Sequence, residues 1–552
     1  MQKLISKATE RNWKRLNLQK EDIDKKLTSR ANKKLSSKNI TPFEYIEQRN
    51  TEEILQGLLH LGKIEEILYS MAINLLAKNN LISFKNNEIL SKNRYLIEIL
   101  NQFNQKMITE IIEAELPYKE RDLLGITYQM YLSEGSKNKS GSYYTPQKIL
   151  NSMISKISPN DKFFDPCCGG GSFLLAAADI IDNPENIYGC DIDKNACFIT
   201  KINLILKYRD KIFSPNIICT DFLSGSPVLP KFDIIATNPP WGAITKTAEI
   251  KEIQSGESFS FFIVKASQYI KDDGSMFFIL PEAILNVKTH KDIRNFILDN
   301  FQIDKIEVLG HIFSAVLSDV ISIHLSKIKK DNIIIQTKDK TFNLAQKYYK
   351  SNTNNIFSIM DHIDAEILEK IYSTPHIKLD LNSTWGLGIV TGNNEKFISK
   401  NNIGEKIYTG KNIKKNEITE SYSYINYDRR SFQQCAPDEI YRAKEKLVYK
   451  FISKKLTFAY DNQQRLFLNS ANILIPKLSG YNIKTVMTVL NSQLFQYIYS
   501  KKFSGLKVLK SSLMELPFPI LNDNNLTEEN IFKYFNLTKN EIEYIQTSKS
   551  YS

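Results

Sequence analysis

The stretch at residues 163–181, FFDPCCGGGSFLLAAADII, decides the fold of this chain. Its apolar start is typical of a buried strand, and the apolar run after the glycines is typical of a helix packed against that strand. Gly169 and Gly171 allow the backbone to turn sharply and approach a ligand closely, and the helix that follows offers free N–H groups. Because tight turns also use glycine for structural reasons alone, this loop is a candidate binding site that needs support from its neighbours.

Short apolar segments separated by helical stretches surround this loop. They are NIYGCDID, NIICTDF, KFDIIATNPP and GSMFFILPEAIL, which begin at residues 186, 216, 231 and 274. Strands that alternate with helices indicate βαβ units and a parallel, doubly wound sheet of the α/β class. We expect this Rossmann-like domain to span residues 121–335.

The regions on either side have different patterns. Residues 1–120 repeat apolar side chains three and four positions apart, which predicts a helical N-terminal region. We expect a linker at residues 336–376 and a helical tail at residues 521–552. Between them, residues 377–520 are rich in aromatic, basic and turn-forming residues, which indicates a separate mixed α/β or β-rich module.

Acidic residues follow two of the predicted strands and favour an adenosyl ligand. Asp191 comes about 20 residues after Gly171, the separation at which a carboxylate accepts both ribose hydroxyls. Asp221 follows the next strand, where it could accept a hydrogen bond from an adenine amino group, and Phe222 could flank the ring. Dinucleotide binding would favour a GxGxxG pattern, which this stretch lacks.

The next strand leads into the turn TNPPWG at residues 237–242, which is rich in hydrogen-bond acceptors. Pro239 and Pro240 remove two backbone donors. If the Asn238 side-chain oxygen and the Pro239 carbonyl accept both N–H bonds of an aromatic amine, its lone pair can point outward, while Trp241 stacks on the ring. An electrophilic methyl group on a sulfonium would then lie in line for transfer. The alternative is a proline-rich edge turn with a packed tryptophan.

Bulk composition restricts the class of protein. The 73 basic and 61 acidic residues give a net charge of +12, which favours a polyanionic partner such as nucleic acid. The chain has no apolar stretch of membrane-spanning length and no signal-peptide core, so we expect a cytoplasmic protein. Its six cysteines lack CxxC spacing and its six histidines are scattered, which predicts reduced thiols and no metal site.

The segments GSYYTP, DPCCGGGSF, YGCDID, TDF and TNPPWG, in this order, resemble the motifs of adenine-N6 DNA methyltransferases. The cofactor loop precedes the reactive turn and a long C-terminal module follows, which is similar to the γ-class arrangement. Two details depart from the family pattern: Trp241 stands where Tyr or Phe is more common, and the loop reads CCGGG. Neither departure removes a functional group.

The resemblance implies that the chain binds S-adenosylmethionine. The contacts implied for the methionyl part are Tyr143, Tyr144, Thr145, Pro146, Asp165, Gly169 and Gly171. Those implied for the ribose and adenine are Asp191, Ile192, Asp221 and Phe222. The residues implied for the reactive turn, which would hold the target adenine, are Asn238, Pro239, Pro240 and Trp241.

The C-terminal module resembles the target-recognition half of single-chain methyltransferases, which implies duplex DNA as the substrate. Lysines interleave with aromatic residues there, a composition expected for phosphate contacts on a DNA-facing surface. They are Lys444, Lys446, Lys450, Lys454, Lys455, Lys501, Lys502, Lys507 and Lys510. Chemistry on a paired base requires its extrusion from the stack, so the resemblance implies a flipped adenine.

Several alternatives stay open at this point. The same turn suits methylation of a glutamine amide or of an RNA base. The helical start and GSYYTP also resemble the modification subunit of a multisubunit restriction system, which needs a separate specificity chain. A third alternative is a non-catalytic DNA-binding protein that retains the fold. The sequence has no convincing nuclease motif, so a restriction endonuclease would be a separate partner.

Overall fold

The computed structural model describes residues 46, 48, 50–86, 88–132, 145–225, 227–241, 250–251, 253–313, 319–351, 353–379, 383–503, 507–520 and 526–548. These residues form two compact units that divide between residues 346 and 347, called here the N-terminal and C-terminal units. Among the helices so described, none is long and apolar enough to cross a membrane.

The N-terminal unit begins with helices and a small hairpin. The helices are α1 (Thr51–Leu58), α2 (Ile64–Lys78), α3 (Arg94–Phe103), α4 (Thr109–Ile112) and α5 (Leu123–Tyr131), and the hairpin strands are β1 (Ser83–Lys85) and β2 (Glu88–Leu90). α2 is buried along most of its length because apolar residues occupy most of its positions. The α5 helix is also buried along nearly all of its length, and it lies at the start of the predicted Rossmann-like domain.

The strands of the main sheet follow the helical region. They are β3 (Phe163–Asp165), β4 (Ile187–Asp191), β5 (Asn216–Cys219), β6 (Phe232–Thr237), β7 (Ile270–Pro281), β8 (Gln302–Gly310), β9 (Val320–Ser326), β10 (Asn332–Gln336) and β11 (Thr341–Ala345). The intervening helices are α6 (Gln147–Met153), α7 (Ser172–Ala177), α8 (Lys194–Lys207), α9 (Ser258–Ala266) and α10 (Lys291–Asn300).

These strands form one sheet in the order β5-β4-β3-β6-β7-β9-β8-β10-β11. β3 to β7 are parallel, and β9 is antiparallel to β7 and β8. The chain moves from β3 outward to β5 and then returns to the other side of β3, which makes a doubly wound sheet with a switch point between β3 and β6. The predicted fold class is confirmed. Ligands of such sheets bind at the carboxyl ends of the strands beside the switch point.

The C-terminal unit is mixed α/β, as predicted. Its helices are α11 (Lys347–Ser351), α12 (His362–Ser373), α13 (Asn394–Phe397), α14 (Asp438–Tyr441), α15 (Ile483–Leu490), α16 (Gln493–Lys502), α17 (Lys510–Leu513), α18 (Glu528–Tyr534) and α19 (Lys539–Thr547). Its strands are β12 (His376–Ile377), β13 (Ser383–Leu387), β14 (Ile398–Ser399), β15 (Glu405–Tyr408), β16 (Ile413–Lys414), β17 (Glu417–Ile418), β18 (Tyr424–Ile425), β19 (Lys446–Lys450), β20 (Phe458–Asp461), β21 (Leu466–Phe467), β22 (Ala471–Pro476) and β23 (Phe518–Pro519).

The described part of this unit contains two four-stranded sheets, with the orders β13-β22-β19-β20 and β14-β18-β15-β21, and the two-stranded sheets β12-β23 and β16-β17. The segment predicted as a linker, 336–376, differs from the expectation because it contains β11, which ends the main sheet, and α12. α12 has Ala365, Ile367, Leu368 and Ile371 buried in the C-terminal unit. Apolar residues at these spacings form a packed helix rather than a solvated connection.

Candidate active site

The glycine loop joins β3 to α7 in a conformation that requires glycine. Gly169 and Gly171 have φ angles of +50° and +93°. A Cβ on Gly171 would lie 3.0 Å from Cγ2 of Thr200, so a larger residue there would also push against α8. The loop thus turns tightly between a buried strand and a buried helix, as the sequence predicts.

Side chains of α8 donate hydrogen bonds to the carbonyls of the glycine loop. Thr200 Oγ1 donates to the Gly169 carbonyl at 2.7 Å, and Asn203 Nδ2 donates to the Gly170 carbonyl at 3.1 Å. Asn203 Nδ2 also donates to Asp122 Oδ1 at 2.7 Å. Burial raises the pKa of the Asp122 carboxyl to about 6. Sequence reasoning missed these residues because their separation along the chain gives no periodic signal.

Asp191, at the end of β4, faces the glycine loop. Its Oδ2 accepts from the Gly169 backbone N–H at 2.8 Å, and its Oδ1 accepts from the Asp193 N–H at 2.9 Å. Burial raises the pKa of the Asp191 carboxyl, and these backbone donors oppose that rise. The next residue, Ile192, is 71% exposed, so its side chain offers an apolar surface beside the carboxylate.

Asp221 and Phe222 follow β5, where Asp221 lies in a turn and Phe222 lies in the core. Asp221 caps a turn, because its carboxylate accepts from the Leu223 N–H at 2.9 Å and from Ser224 Oγ at 2.8 Å. Phe222 is only 2% exposed, and its ring packs against Phe164 and Phe262 with centroid distances of 5.6 and 5.8 Å. Phe222 therefore contributes to the core here, and its role beside an adenine ring stays a prediction.

Asp165 and Thr237 end β3 and β6, the two strands that flank the switch point. Thr237 Oγ1 donates to Asp165 Oδ1 at 2.6 Å, and the Cys167 N–H donates to the same oxygen at 3.1 Å. Burial raises the pKa of the Asp165 carboxyl to about 7, and the two hydrogen bonds limit the rise. Burial likewise raises the pKa of the Cys167 thiol, which keeps it protonated.

The reactive turn continues directly from β6. The Asn238 side chain is half-buried, and the carbonyl of Pro240 accepts a hydrogen bond from Ser258 Oγ at the start of α9. Trp241 Nε1 donates to the Ile279 carbonyl of β7 at 3.3 Å, and its ring meets Phe313 edge to face at a centroid distance of 5.6 Å. The tryptophan is thus oriented by the sheet as well as by the turn.

The predicted site residues that the structure describes lie mostly at one edge of the sheet. Because β3, β4, β5 and β6 are parallel, Asp165, Asp191, Asp221 and Asn238 follow carboxyl ends that share this edge. Thr145 is buried and Pro146 is half-buried just before α6. Tyr143 and Tyr144 lie outside the described residues, so their predicted contacts stay predictions.

The lysines predicted to face DNA in the C-terminal unit divide into a buried group and an exposed group. For the buried group, the prediction of a DNA-facing surface position was wrong. Lys446, Lys501 and Lys502 are at most 3% exposed. Lys446 and Lys501 form ion pairs with Asp461 and Asp364 at 2.7 and 2.9 Å, since β19 and α16 turn these positions inward. The exposed group is Lys444, Lys454, Lys455, Lys507 and Lys510, and Lys450 is half-buried.

Comparison with known families and proteins agrees with this geometry. Residues 119–380 match the N-6 DNA methylase family, and residues 405–518 match the TaqI-like C-terminal specificity domain. The chain is 34% identical to the type II methyltransferase M.VspI of Vibrio sp. (strain 343), over 53% of this chain and 74% of that protein. It is 28% identical to the type I restriction enzyme EcoEI methylase subunit of Escherichia coli, over 30% of this chain and 38% of that subunit.

Among solved structures, the type IIL restriction-modification enzyme MmeI in complex with DNA has a TM-score of 0.55 and covers 91% of each chain. At 12% sequence identity, this likeness concerns the fold alone. The doubly wound sheet, its glycine loop and the mixed C-terminal unit define the class as a methyltransferase fold followed by a specificity domain. The chain belongs to the N-6 DNA methylase family and is an adenine-specific DNA methyltransferase, as its motifs predict.

Proposed function

We propose that this chain transfers a methyl group from S-adenosylmethionine to N6 of an adenine that is flipped out of a specific duplex DNA sequence. The observation that carries this proposal is the meeting of the glycine loop and the Asn-Pro-Pro turn, where Cys167 Sγ lies 3.5 Å from the Asn238 carbonyl oxygen. A methyl donor on the loop and an amine acceptor on the turn would therefore be neighbours.

The residues of the loop fit S-adenosylmethionine. Asp191 lies against the loop backbone and could accept from ribose hydroxyls, Ile192 exposes an apolar surface for the adenine, and Asp165 offers a buried carboxylate to the methionyl ammonium. When bound, this cofactor supplies an electrophilic methyl group on a sulfonium.

The protein's own part in the reaction is to position and polarise the acceptor amine. The Asn238 side-chain oxygen and the Pro239 carbonyl accept its two N–H bonds, so that the nitrogen lone pair turns toward the donor. Trp241, held by Ile279 and Phe313, gives the base a fixed surface for stacking. No general base is required before attack, because the nitrogen becomes positively charged as it takes the methyl group, with S-adenosylhomocysteine as the leaving group, and only then releases a proton to solvent.

The C-terminal unit supports a single-chain enzyme that selects its own DNA site. Its match to a specificity domain favours this reading over a modification subunit that depends on a separate specificity chain. The similarity to a type I methylase subunit keeps the second reading as a defined alternative. A separate cognate endonuclease is the partner expected of a modification enzyme in a restriction-modification system.

A methyl-transfer assay with duplex DNA, RNA and protein acceptors tests the proposal. We expect incorporation into N6 of adenine in duplex DNA by the purified chain alone. Incorporation only into RNA or protein would refute the DNA substrate, and activity that appears only with an added specificity chain would favour the subunit alternative.

The variant Asn238→Ala tests the role of the turn. We expect it to abolish methylation while cofactor affinity changes by less than about twofold, because the amide is assigned to the acceptor and not to the cofactor. Asn186→Ala is the matched control, since Asn186 is bonded to the Asn160 carbonyl before β4 begins, at the amino ends of the strands. Retained turnover in Asn238→Ala would contradict the assigned role.

A further inference from the structure

Thr237 joins the two halves of the candidate active site through a chain of side-chain contacts. Its hydroxyl donates to Asp165 Oδ1 at 2.6 Å and lies 2.8 Å from Cys167 Sγ. The same sulfur lies 3.5 Å from the carbonyl oxygen of Asn238. The carboxylate of β3, the thiol of the loop and the backbone of the turn therefore form one connected group.

The hydrogen atoms of this group can be assigned from its chemistry. The Thr237 hydroxyl has a single proton, and it donates this proton to Asp165 Oδ1. The Cys167 thiol then donates to Thr237 Oγ1 or to the Asn238 carbonyl, both of which accept. Each contact is buried or half-buried, so little competition from water weakens it.

The position of Thr237 allows this group to affect the placement of Asn238. Thr237 is fully buried and is the last residue of β6, one peptide bond before Asn238. A change in the orientation of Asp165 would alter the hydrogen bond that fixes the Thr237 side chain. Because Asn238 is the next residue, a shift of Thr237 would also move Asn238. The β3–β6 switch point is thus also the place where the two substrates would approach each other.

We propose that Thr237 is a positioning residue that couples cofactor binding to the placement of Asn238, with the Cys167 thiol as a second contact. This inference rests on the proposed function, since it assigns the Asp165 carboxylate to the cofactor side and Asn238 to the adenine side. Coupling between two binding sites is reciprocal, so each ligand raises the affinity of the other by the same factor.

The test measures that factor directly. The affinity of the full chain for the duplex that it methylates is determined with and without saturating S-adenosylhomocysteine, and the ratio is the coupling factor. Factors between binding sites are typically about 5 to 150. We expect Thr237→Val, which keeps the shape but removes the hydroxyl, to lower the factor toward 1, and Thr237→Ser to restore most of it.

Thr127→Val is the matched control for loss of a buried hydroxyl. Thr127 is fully buried and donates to the Leu123 carbonyl within α5 at 2.8 Å, so its loss should reduce stability without changing the coupling factor. Cys167→Ala is a second probe that keeps the inference testable if Thr237→Val does not fold, and we expect it to lower the factor partly.

The outcomes separate this inference from the proposed function. A wild-type coupling factor that Thr237→Val and Cys167→Ala leave unchanged overturns the inference while DNA methylation stands. An equal loss of coupling in Thr127→Val also overturns it, because the effect would then be general destabilisation. A wild-type chain that binds S-adenosylhomocysteine but methylates no DNA overturns the proposed function and this inference together.

Discussion

Two pairs of buried carboxylates, one pair in each unit, have different partners. In the C-terminal unit, Asp364 and Asp461 each pair with a fully buried lysine. In the N-terminal unit, Asp165 and Asp191 accept hydrogen bonds from backbone N–H groups and a hydroxyl, and the described residues include no ion pair to either carboxylate. Burial raises the pKa of both of these carboxyls.

From this contrast we infer that Asp364 and Asp461 complete the core of their unit, and we propose that Asp165 and Asp191 bind a ligand. A buried ion pair compensates each charge within the fold, whereas a buried carboxylate without a cation depends on hydrogen bonds, on protonation or on a bound cation. Substitution in the first group should therefore affect stability, and substitution in the second should affect affinity.

The largest effect on stability is expected for Lys501→Met. This change leaves Asp364 buried beside Tyr497 without its cation, and loss of one partner of a buried pair costs about 3–5 kcal/mol. Urea unfolding of the variant measures the loss, with Lys539→Met on the exposed side of α19 as control. A loss below about 1 kcal/mol, comparable to that of a surface pair, would remove the distinction between the two pairs of carboxylates.

A large effect on affinity, with a smaller loss of stability, is expected for Asp191→Asn, because both Asp191 oxygens accept backbone N–H groups and the amide nitrogen cannot accept. The amide keeps the shape of the side chain but loses the negative charge that strengthens hydrogen bonds to hydroxyl groups. We expect the dissociation constant of S-adenosylmethionine to rise about 10- to 100-fold, which corresponds to the usual range of about 1.5–3 kcal/mol for such bonds. Calorimetric titration measures it, with the exposed Asp182→Asn as control. Unchanged affinity would place Asp191 among the structural carboxylates.

The pH dependence of cofactor binding sharpens the comparison further. The pKa of Asp165 is raised to about 7, so the carboxyl is increasingly protonated as pH falls below that value. An ammonium group requires the ionised form, and we expect affinity to fall about tenfold per pH unit well below pH 7. The groups that face Asp165 are Thr237, Cys167 and Asp191. Burial is the main cause of the raised pKa of Asp165, the hydrogen bonds from Thr237 and Cys167 lower it, and the Asp191 carboxylate raises it further. Asp165→Asn should bind weakly and without this dependence, and an unchanged pH profile in that variant would contradict the assignment.

The smallest effect is expected from the exposed lysines of the C-terminal unit. Lys454 and Lys455 are exposed and follow Phe451, whose carbonyl accepts a hydrogen bond from the Val508 N–H at 2.8 Å. We expect Lys454→Ala with Lys455→Ala to weaken DNA binding a few-fold and to reduce the slope of log K against log salt by about 0.9 for each phosphate that is no longer neutralised. The control pair is Lys533→Ala with Lys539→Ala, on α18 and α19. An equal salt slope in the two double variants would show that Lys454 and Lys455 are solvated and do not contact phosphates.

Sequence patterns predicted the parallel sheet and the order of the motifs, because burial on both faces of a parallel sheet produces apolar strands that end in polar residues. The glycine loop, Asp191 and the Asn-Pro-Pro turn could be located because each follows such an apolar strand. The motif residues are local in sequence, and the parallel strands bring them to one edge.

The supporting contacts could not be predicted in this way. The bonds from Thr200 and Asn203 to the loop, and from Thr237 to Asp165, join residues distant in sequence whose types are common in any helix or strand. Lys446 and Lys501 were placed on the surface because a lysine has the same composition signal whether it is solvated or paired inside the fold. Burial of a charge depends on its partner, which only the tertiary structure reveals.

The hydrogen bond from Trp241 to the Ile279 carbonyl gives β7 control over the proposed base-stacking surface. A tyrosine or phenylalanine in this position has no indole N–H, so its ring could not use the same anchor. We therefore expect substitutions in β7 beneath the ring to shift the proposed stacking surface while the Asn-Pro-Pro segment, the proposed site of the chemistry, keeps its sequence.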